Sequence, residues 1–386
     1  MKQLLKVPFA LTVLSVALVG CSSLNFLNKS NTEEVVKPNP LPKIVASTQL
    51  TPVFKTSTSS LPKFDVLKLQ MVQENGIYYR IDAKGEVSAL QGRRTVWSSK
   101  IGKSLSSGVA VGEGVVVVGN QQGELFALDA TTGKQIWTQK LGAALLSPSL
   151  IQQGRVVTVG NDGKVYAHDL RSGQVLWTFD LPSNNLAMRG YASPVLLSKR
   201  TVLLASSNAY VYAVDLMSGT PVWQRRVAFN EGRGDIQRLI DIDGEPVISN
   251  GKMVTVSYQG MVTVIDLDNE QVLWSNKSSS LNRPAADIRA VYVAQTDGTL
   301  NAYDVNTGAS LWTNTELLNR KLSNPVRIGQ HLVVGDYEGV LHLVDPATGK
   351  LTGRASTSGQ VRTLNVQNNQ LFVATDKGEF SVWQPK

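Results

Sequence analysis

The hydrophobic pattern that recurs along this chain is a short alternation of apolar and polar residues followed by a turn. Residues 165–169, Val-Tyr-Ala-His-Asp, alternate with a period of two, which predicts a β-strand. Residues 169–173 form a predicted turn, because aspartate caps neighbouring backbone amides and glycine adopts a positive φ without strain. Residues 174–178 resume an extended pattern that contains Trp177. The unit is therefore a strand, a turn and a strand that bears a tryptophan.

This unit repeats eight times, with a period of mostly 38 to 41 residues. Three close copies are GELFALDATTGKQIW, GKVYAHDLRSGQVLW and GTLNAYDVNTGASLW, which end at Trp137, Trp177 and Trp312. Weaker copies end at Trp223, Trp274 and Gly353, and degenerate copies begin at Gly85 and Gly378. Two further short β-rich runs precede each unit, as in residues 148–150 and 156–160. Four antiparallel strands in each repeat are typical of a β-propeller blade.

The last unit stops at Lys386, just after its predicted third strand, so the ring needs a fourth strand from elsewhere. We predict that residues 63–72, which include the stretch from Phe64 to Val72, supply this outer strand and hide two sheet edges. The sequence therefore predicts an all-β fold, an eight-bladed β-propeller of four-stranded antiparallel blades, with the ring closed by an N-terminal strand.

The N-terminus has the order of a secretory signal. Two lysines precede an apolar run over residues 7–20, which is too short to span about 30 Å of hydrocarbon. The run ends in Leu18-Val19-Gly20-Cys21, which resembles the lipobox of bacterial lipoproteins. That resemblance implies acylation of Cys21, and Ser22 in place of an aspartate implies sorting to the outer membrane. The alternative is a plain secretory signal with a chance cysteine.

Residues 22–62 are rich in Ser, Thr, Asn, Pro and Lys and show no sustained periodicity, which is typical of a flexible tether. The predicted organisation is a signal peptide over residues 1–20, an acylated cysteine and tether over 21–62, and the propeller over 63–386.

Composition removes several function classes. A single cysteine excludes an intramolecular disulfide and a cysteine-based zinc site. Three histidines provide few candidate residues for metal binding or acid–base catalysis. The net charge of +8 becomes +6 when residues 1–20 are removed, and the propeller has no basic run, so no nucleic-acid partner is expected. No phosphate loop, HExxH or nucleophile elbow occurs. We expect no catalytic residues, no metal and no cofactor.

The repeated tryptophans and aspartates are predicted to have structural roles. One aromatic residue per blade at a fixed register favours packing between neighbouring blades over an exposed aromatic cage. These tryptophans are Trp97, Trp137, Trp177, Trp223, Trp274 and Trp312. The aspartates that open the turns, predicted to cap them, are Asp129, Asp169, Asp215, Asp266, Asp304 and Asp345.

Two insertions break the repeat. From a tryptophan to the proline that opens the next blade is 11 residues after Trp137 and 10 after Trp274, but 17 after Trp177 and 23 after Trp223. Both insertions occupy the same connection in successive blades, so they are expected to be neighbours on one face. The first carries Leu186, Met188 and Arg189, and the second carries Arg238, Asp241 and Asp243. Apolar residues beside arginine are typical of an interface; the alternative is two long loops that pack on themselves.

The tryptophan-bearing repeat resembles that of the quinoprotein dehydrogenases, which hold a quinone in an eight-bladed propeller. Many of those enzymes carry a vicinal cysteine pair beside the cofactor, which a single cysteine cannot form. The lipobox, polar tether and propeller together resemble the propeller lipoproteins of the β-barrel assembly machinery of Gram-negative outer membranes. This resemblance implies a non-enzymatic scaffold that docks on the POTRA domains of BamA and assists the insertion of β-barrel proteins.

In that family a Leu-x-Leu-Arg-Gly segment and an Asp-x-Asp segment bind BamA. Residues 186–190, Leu-Ala-Met-Arg-Gly, match the first except for Met188, and residues 241–243, Asp-Ile-Asp, match the second. The resemblance therefore implies partner binding by Leu186, Met188, Arg189, Asp241 and Asp243. Whether the two aspartates contact BamA or brace the Arg189 loop stays open, as does direct contact with unfolded outer-membrane proteins. It also implies contact with other lipoproteins of the machinery and with the outer membrane through the lipid. The rival functions are a periplasmic quinoprotein-like enzyme and a carbohydrate-binding propeller.

Overall fold

The computed structural model describes residues 37–61, 67, 69–182, 192–229 and 241–386, and Pro38–Lys386 form one compact unit. In these ranges the chain forms 32 β-strands and no α-helix. The strands build eight antiparallel sheets of four strands each. The predicted eight-bladed propeller is confirmed.

The strands are numbered in chain order, and the first belongs to the last blade. The chain begins with β1 (Leu50–Ser57), which is the outer strand of blade 8. Blade 1 contains β2 (Val72–Glu74), β3 (Ile77–Asp82), β4 (Glu86–Gln91) and β5 (Arg94–Lys100). Blade 2 contains β6 (Ala110–Gly112), β7 (Val115–Gly119), β8 (Glu124–Asp129) and β9 (Gln135–Lys140). Blade 3 contains β10 (Leu150–Gln152), β11 (Arg155–Val159), β12 (Lys164–Asp169) and β13 (Val175–Asp180). Blade 4 contains β14 (Val195–Leu196), β15 (Thr201–Ala205), β16 (Tyr210–Asp215) and β17 (Pro221–Arg226).

The other four blades follow the same order. Blade 5 contains β18 (Val247–Ser249), β19 (Lys252–Val256), β20 (Gly260–Asp266) and β21 (Gln271–Ser278). Blade 6 contains β22 (Ala285–Ala286), β23 (Ala290–Ala294), β24 (Leu300–Asp304) and β25 (Ser310–Asn314). Blade 7 contains β26 (Val326–Ile328), β27 (His331–Gly335), β28 (Val340–Val344) and β29 (Leu351–Ser356). Blade 8 contains β30 (Val361–Gln367), β31 (Gln370–Thr375), β32 (Glu379–Pro385) and β1.

The position of a strand within its blade explains its sequence. The first strands of neighbouring blades contact one another, as β2 does with β6 and β6 with β10, so they surround the central channel. The second and third strands are packed on both faces by the adjacent blades. They are therefore continuous apolar runs, and all five residues of β7, Val-Val-Val-Val-Gly, are buried. The fourth strands form the outer rim and are mostly exposed.

Each tryptophan-bearing outer strand contains a β-bulge next to its tryptophan. In blade 2, Trp137 pairs with Ala127 and Gln135 pairs with Leu128, so Ile136 is the extra residue and is exposed. The equivalent exposed residues of the other blades are Val96, Leu176, Val222, Leu273 and Leu311. Bulges bend an edge strand away from flat pairing, which protects the rim from edge-to-edge aggregation.

The ring is closed by an N-terminal strand, but the predicted segment is wrong. The closing strand is β1, Leu50–Ser57, which pairs with β32 along its length. It lies inside the segment 21–62 that was predicted to be a tether, so the propeller begins before residue 63. Within 63–72 the structure describes residue 67 and residues 69–72, and of these only Val72 belongs to a strand. Leu67, Leu69 and Met71 are buried in the core shared by blades 1, 2 and 8, so these three apolar positions belong to a buried connection.

β1 repeats the design of the other outer strands. Its register shifts between Pro52 and Phe54, which makes Val53 the exposed extra residue. Phe54 is buried and packs edge-on against Tyr78 of blade 1, with ring centroids 4.7 Å apart. Phe54 thus takes the place that a tryptophan has in blades 1 to 6. The signal was present in the sequence, because residues 51–54, Thr-Pro-Val-Phe, resemble residues 220–223, Thr-Pro-Val-Trp.

Candidate functional site

The repeated tryptophans connect each blade to the next. Five of them donate a hydrogen bond from the indole Nε1 to a backbone carbonyl in the following blade. These bonds join Trp97 to Ala130 (2.9 Å), Trp137 to Leu170 (2.9 Å), Trp177 to Leu216 (2.9 Å), Trp274 to Val305 (3.0 Å) and Trp312 to Pro346 (2.9 Å). Each indole also faces the glycine of the turn in that blade. A methyl group at Gly173, for example, would lie 2.7 Å from Cδ2 of Trp137. These aromatic rings therefore lie between blades.

Trp223 is the exception, and the cause lies in the next blade. Glu270, with φ of 59°, occupies the turn position that is glycine elsewhere, so its Cβ removes the space for a deeply docked indole. Arg225, two places after Trp223, holds this seam by donating from Nε to the Glu270 carbonyl at 2.7 Å and from Nη2 to its carboxylate at 3.2 Å. The seam between blades 4 and 5, which the longer insertion crosses, is thus built differently from the others.

The turn aspartates accept hydrogen bonds within their own turns. The Asp169 carboxylate accepts the N–H groups of Arg171 (3.1 Å) and Ser172 (2.8 Å) and the Ser172 hydroxyl (2.8 Å). The hydrogen bonds from Ser172 hold the pKa of Asp169 below its ordinary value. The same bonds recur at Asp129, Asp215 and Asp304. The Asp345 carboxylate accepts the Ala347 N–H and the Thr348 hydroxyl, and the Asp266 carboxylate accepts the Asp268 N–H. Each is committed to a turn and none is paired with a second carboxylate in the manner of an acid–base dyad.

The predicted partner-binding residues fall in two groups. Leu186, Met188 and Arg189, together with Arg238 of the second insertion, lie outside the described residues, which break at 183–191 and 230–240. Asp241 and Asp243 are described and are 2% and 5% exposed. The carbonyl of Asp241 accepts the N–H of Tyr258 at 2.9 Å, and Ile242 packs into the core between blades 4 and 5. The Asp-x-Asp segment is thus fixed to blade 5 with both carboxylates buried.

The described ends of the two insertions line the central channel. The channel encloses about 840 Å³, including the space at its mouth, and its lining comes mainly from the connections between blades. Ser193, at the end of the first insertion, and Asp243, at the end of the second, both line it. Beside Asp243, Glu245 forms an ion pair with Arg283 of the neighbouring connection at 3.4 Å. The described ends of the two insertions, Ser193 and Asp243, therefore lie on the same face of the ring, beside the channel.

A buried polar network in blade 7 was not predicted from the sequence. The Asp336 carboxylate accepts hydrogen bonds from Arg320 Nε at 2.7 Å and His342 Nε2 at 3.0 Å, and Arg320 also pairs with Glu338. Burial alone would raise the pKa of Asp336, but the bonds from His342, the Val340 amide and Arg320 outweigh it and hold the pKa low. Burial lowers the pKa of His342, so the imidazole is neutral at pH 7. Periodicity gave no sign of this network, because it depends on which polar side chains stand at buried positions of one blade and not on the repeat.

The described residues contain no group of three or more His, Cys, Asp or Glu side chains able to hold a metal ion. Within the same residues, no helix is long and apolar enough to cross a membrane.

Comparison with known proteins agrees with this architecture. Residues 83–314 match the family model described as outer membrane protein assembly factor BamB. The BamB proteins of Escherichia coli K12 and Salmonella typhimurium LT2 are 32% and 31% identical, over 96% and 95% of this chain and 97% and 96% of their own lengths. The chain belongs to the BamB family. Crystalline BamB from Moraxella catarrhalis, at 32% identity, has a TM-score of 0.82 and covers 87% of this chain and 100% of its own.

The BamB family shares its fold with enzymes. The quinohemoprotein alcohol dehydrogenase of Comamonas testosteroni, at 14% identity, has a TM-score of 0.67 over 86% of this chain and 76% of its own. At that identity the likeness concerns the propeller alone. What separates this BamB-family chain from a bare propeller is the pair of insertions at the channel mouth and the N-terminal segment that closes the ring.

Proposed function

We propose that this chain is a non-enzymatic scaffold of outer-membrane protein assembly. The observation that carries the proposal is the relation to BamB assembly factors over nearly the whole chain, which includes the N-terminal segment as well as the propeller. Cys21, which lies outside the described residues, carries the lipid that holds the protein on the periplasmic side of the outer membrane. The assigned partners are the POTRA domains of BamA and the neighbouring lipoproteins of the machinery.

The first insertion makes the contact with BamA. Leu186 and Met188 fill an apolar site on the POTRA domains, and Arg189 pairs with a carboxylate, a role in which its planar guanidinium exceeds lysine. The burial of Asp241 and Asp243 supports a positioning role for both, because a carboxylate that is at most 5% exposed presents little surface to a partner. The second insertion thus holds the channel mouth in shape while the first one binds.

Removal of the proposed contact tests this function. The variants Arg189→Ala and Leu186→Ala, purified from detergent-solubilised membranes, should lose co-purification with BamA while their thermal unfolding stays that of the native protein. Lys199→Ala is the matched control, because Lys199 is exposed in the turn between β14 and β15, away from the channel mouth. Co-purification that survives in both insertion variants would contradict the proposal.

A further inference from the structure

The segment of residues 38–49, which we call the strap, crosses blade 7 before β1 begins. Its first end is held by the connection between blades 6 and 7. The Asn39 amide donates to the Leu318 carbonyl at 3.0 Å, and its side-chain Nδ2 donates to the Thr315 carbonyl at 3.2 Å. Arg320 of the buried network donates from Nη1 to the Asn39 carbonyl at 2.9 Å. Because Arg320 is only 2% exposed and bonded on its other nitrogens, this end of the strap is rigidly fixed.

The second end of the strap is fixed to the outer strand of blade 7. The amides of Ser47 and Thr48 donate to the Thr352 carbonyl at 2.9 Å and 3.3 Å, and the Thr48 and Thr352 hydroxyls are 2.9 Å apart. A methyl group at Gly353 would overlap the Thr48 carbonyl oxygen. Gly353 stands where the repeat otherwise has its tryptophan, so the strap occupies the space that the indole would need. The loss of tryptophan in this repeat therefore accompanies the passage of the strap.

Between these two ends Leu41 packs against the core between blades 6 and 7, while the exposed side chains of the strap face outward. Val45 is 94% exposed, the largest value among the large hydrophobic residues that the structure describes. Lys43 and Ala46 beside it are also exposed. Residues 37–61 contain three lysines and no acidic residue. An exposed apolar side chain on the strap can enter the headgroup region of a bilayer while a neighbouring lysine is attracted to anionic phosphates.

We propose that the strap rests on the surface of the membrane, with Val45 among the lipid headgroups and acyl chains and Lys43 on anionic phosphates. The inference depends on the proposed lipid at Cys21. Residues 22–36 separate that cysteine from the described chain, and 15 residues reach at most about 54 Å even when fully extended. The strap is the part of the described propeller nearest in sequence to the lipid. Because the lipid tethers it, the strap is held at a high local concentration beside the bilayer. This contact turns blade 7 toward the membrane and blade 3, four blades away, into the periplasm.

Depth-dependent quenching tests the proposal. The full-length lipidated protein with Val45→Cys, labelled with a bimane fluorophore, is reconstituted in vesicles of phosphatidylethanolamine and phosphatidylglycerol that carry nitroxide lipids. Ile288→Cys is the matched control, because Ile288 is 70% exposed but lies in a turn of blade 6 away from the strap. We expect at least twofold stronger quenching at position 45 than at position 288. Lys43→Gln, or replacement of phosphatidylglycerol by phosphatidylcholine, should reduce the quenching at position 45.

The outcomes separate the strap from its anchor. Cys21 is the only native cysteine, so a lipidated molecule takes up one label and an unlipidated one takes up two. Two labels would overturn both the anchor and the strap contact. One label, flotation with the vesicles and equal quenching at positions 45 and 288 would overturn the strap contact and leave the anchor standing. If quenching at position 45 is strong but unchanged by lipid charge and by Lys43→Gln, the proposed contact between Lys43 and the phosphates is wrong.

Discussion

At the scale of single residues, the contact between a tryptophan and a turn glycine joins one blade to the next. Glycine is needed at this position for two reasons. The turn requires a positive φ, and the indole occupies the volume where a side chain would be. Gly173, for example, has φ of 73° and lies under Trp137. The residue two places after the tryptophan adds a bond to the glycine carbonyl, as Ser99 does to Gly133 (2.6 Å) and Asn276 to Gly308 (2.6 Å). Arg225 makes the corresponding bond to Glu270, where the glycine is absent.

Two glycine variants separate these contributions. Gly154 also has a positive φ, of 69°, but a methyl group there would meet no atom within 4 Å. We expect Gly154→Ala to lower the free energy of unfolding by about 1 kcal/mol through backbone strain alone. Gly173→Ala should lower it by about 1–3 kcal/mol more, because the methyl group overpacks against Trp137. Urea titration of both variants measures the difference, and equal effects would mean that the indole moves aside without loss.

At the scale of elements, the closing strand makes blade 8 from both ends of the chain. β1 pairs with β32, and its Phe54 enters the core shared with blade 1, so ring closure is also a blade-to-blade contact. The strap then replaces the tryptophan contact that blade 7 lacks. The N-terminal segment therefore supplies, by long-range pairing, what the repeat supplies locally in the other blades.

Neighbouring residues of β1 provide a prediction and its control. Phe54 is 4% exposed and Val53 is 41% exposed. Phe54→Ala should lower the free energy of unfolding by about 3–5 kcal/mol, since a buried aromatic ring is lost and a cavity remains. Val53→Ala should change it by no more than about 0.5 kcal/mol. Thermal or chemical unfolding of the two variants decides, and a Phe54→Ala protein of native stability would show that the ring does not depend on this closure.

At the scale of the whole molecule, buried histidines link stability to pH. His168 and His342 are both fully buried, and burial lowers the pKa of each below its ordinary value near 6.5. The unfolded chain takes up protons at about pH 6.5, whereas the folded chain does so only at lower pH. Between these values the unfolded state binds more protons, so the free energy of unfolding must fall as the pH is lowered.

We expect stability to be level above about pH 7 and to fall below about pH 6.5, by at most about 1.4 kcal/mol per pH unit for each buried histidine. Urea titrations from pH 8 to pH 5.5 measure this slope. His342→Gln keeps an N–H donor for Asp336 but does not titrate, so its slope should be smaller by one histidine's share. A slope that is unchanged in this variant, or stability that rises toward pH 5.5, would contradict the assignment.

Much of this architecture could be predicted from the sequence because its contacts are local. Blades 1 to 7 are each made of four consecutive strands, and in blades 2, 3, 4 and 6 the turn places its aspartate eight residues and its glycine four residues before the tryptophan. The number of blades, the antiparallel order and the two insertions all follow from that period. The period makes the six tryptophans equivalent. In the structure Trp223 differs from the other five, because Glu270 in the next blade stands where their turns have a glycine.

The tertiary structure decided what depends on residues far apart in the chain. The choice of β1 over residues 63–72 follows from Phe54 filling the space beside Tyr78, while Leu69 and Met71 are buried in a connection. The burial of Asp241 and Asp243 and the meeting of Arg320, Asp336 and Asn39 were equally invisible to periodicity. A repeat sequence therefore determines the blade, because the blade is built from neighbours. How the ring is closed and fastened is decided by packing between distant segments, which the period of the repeat does not specify.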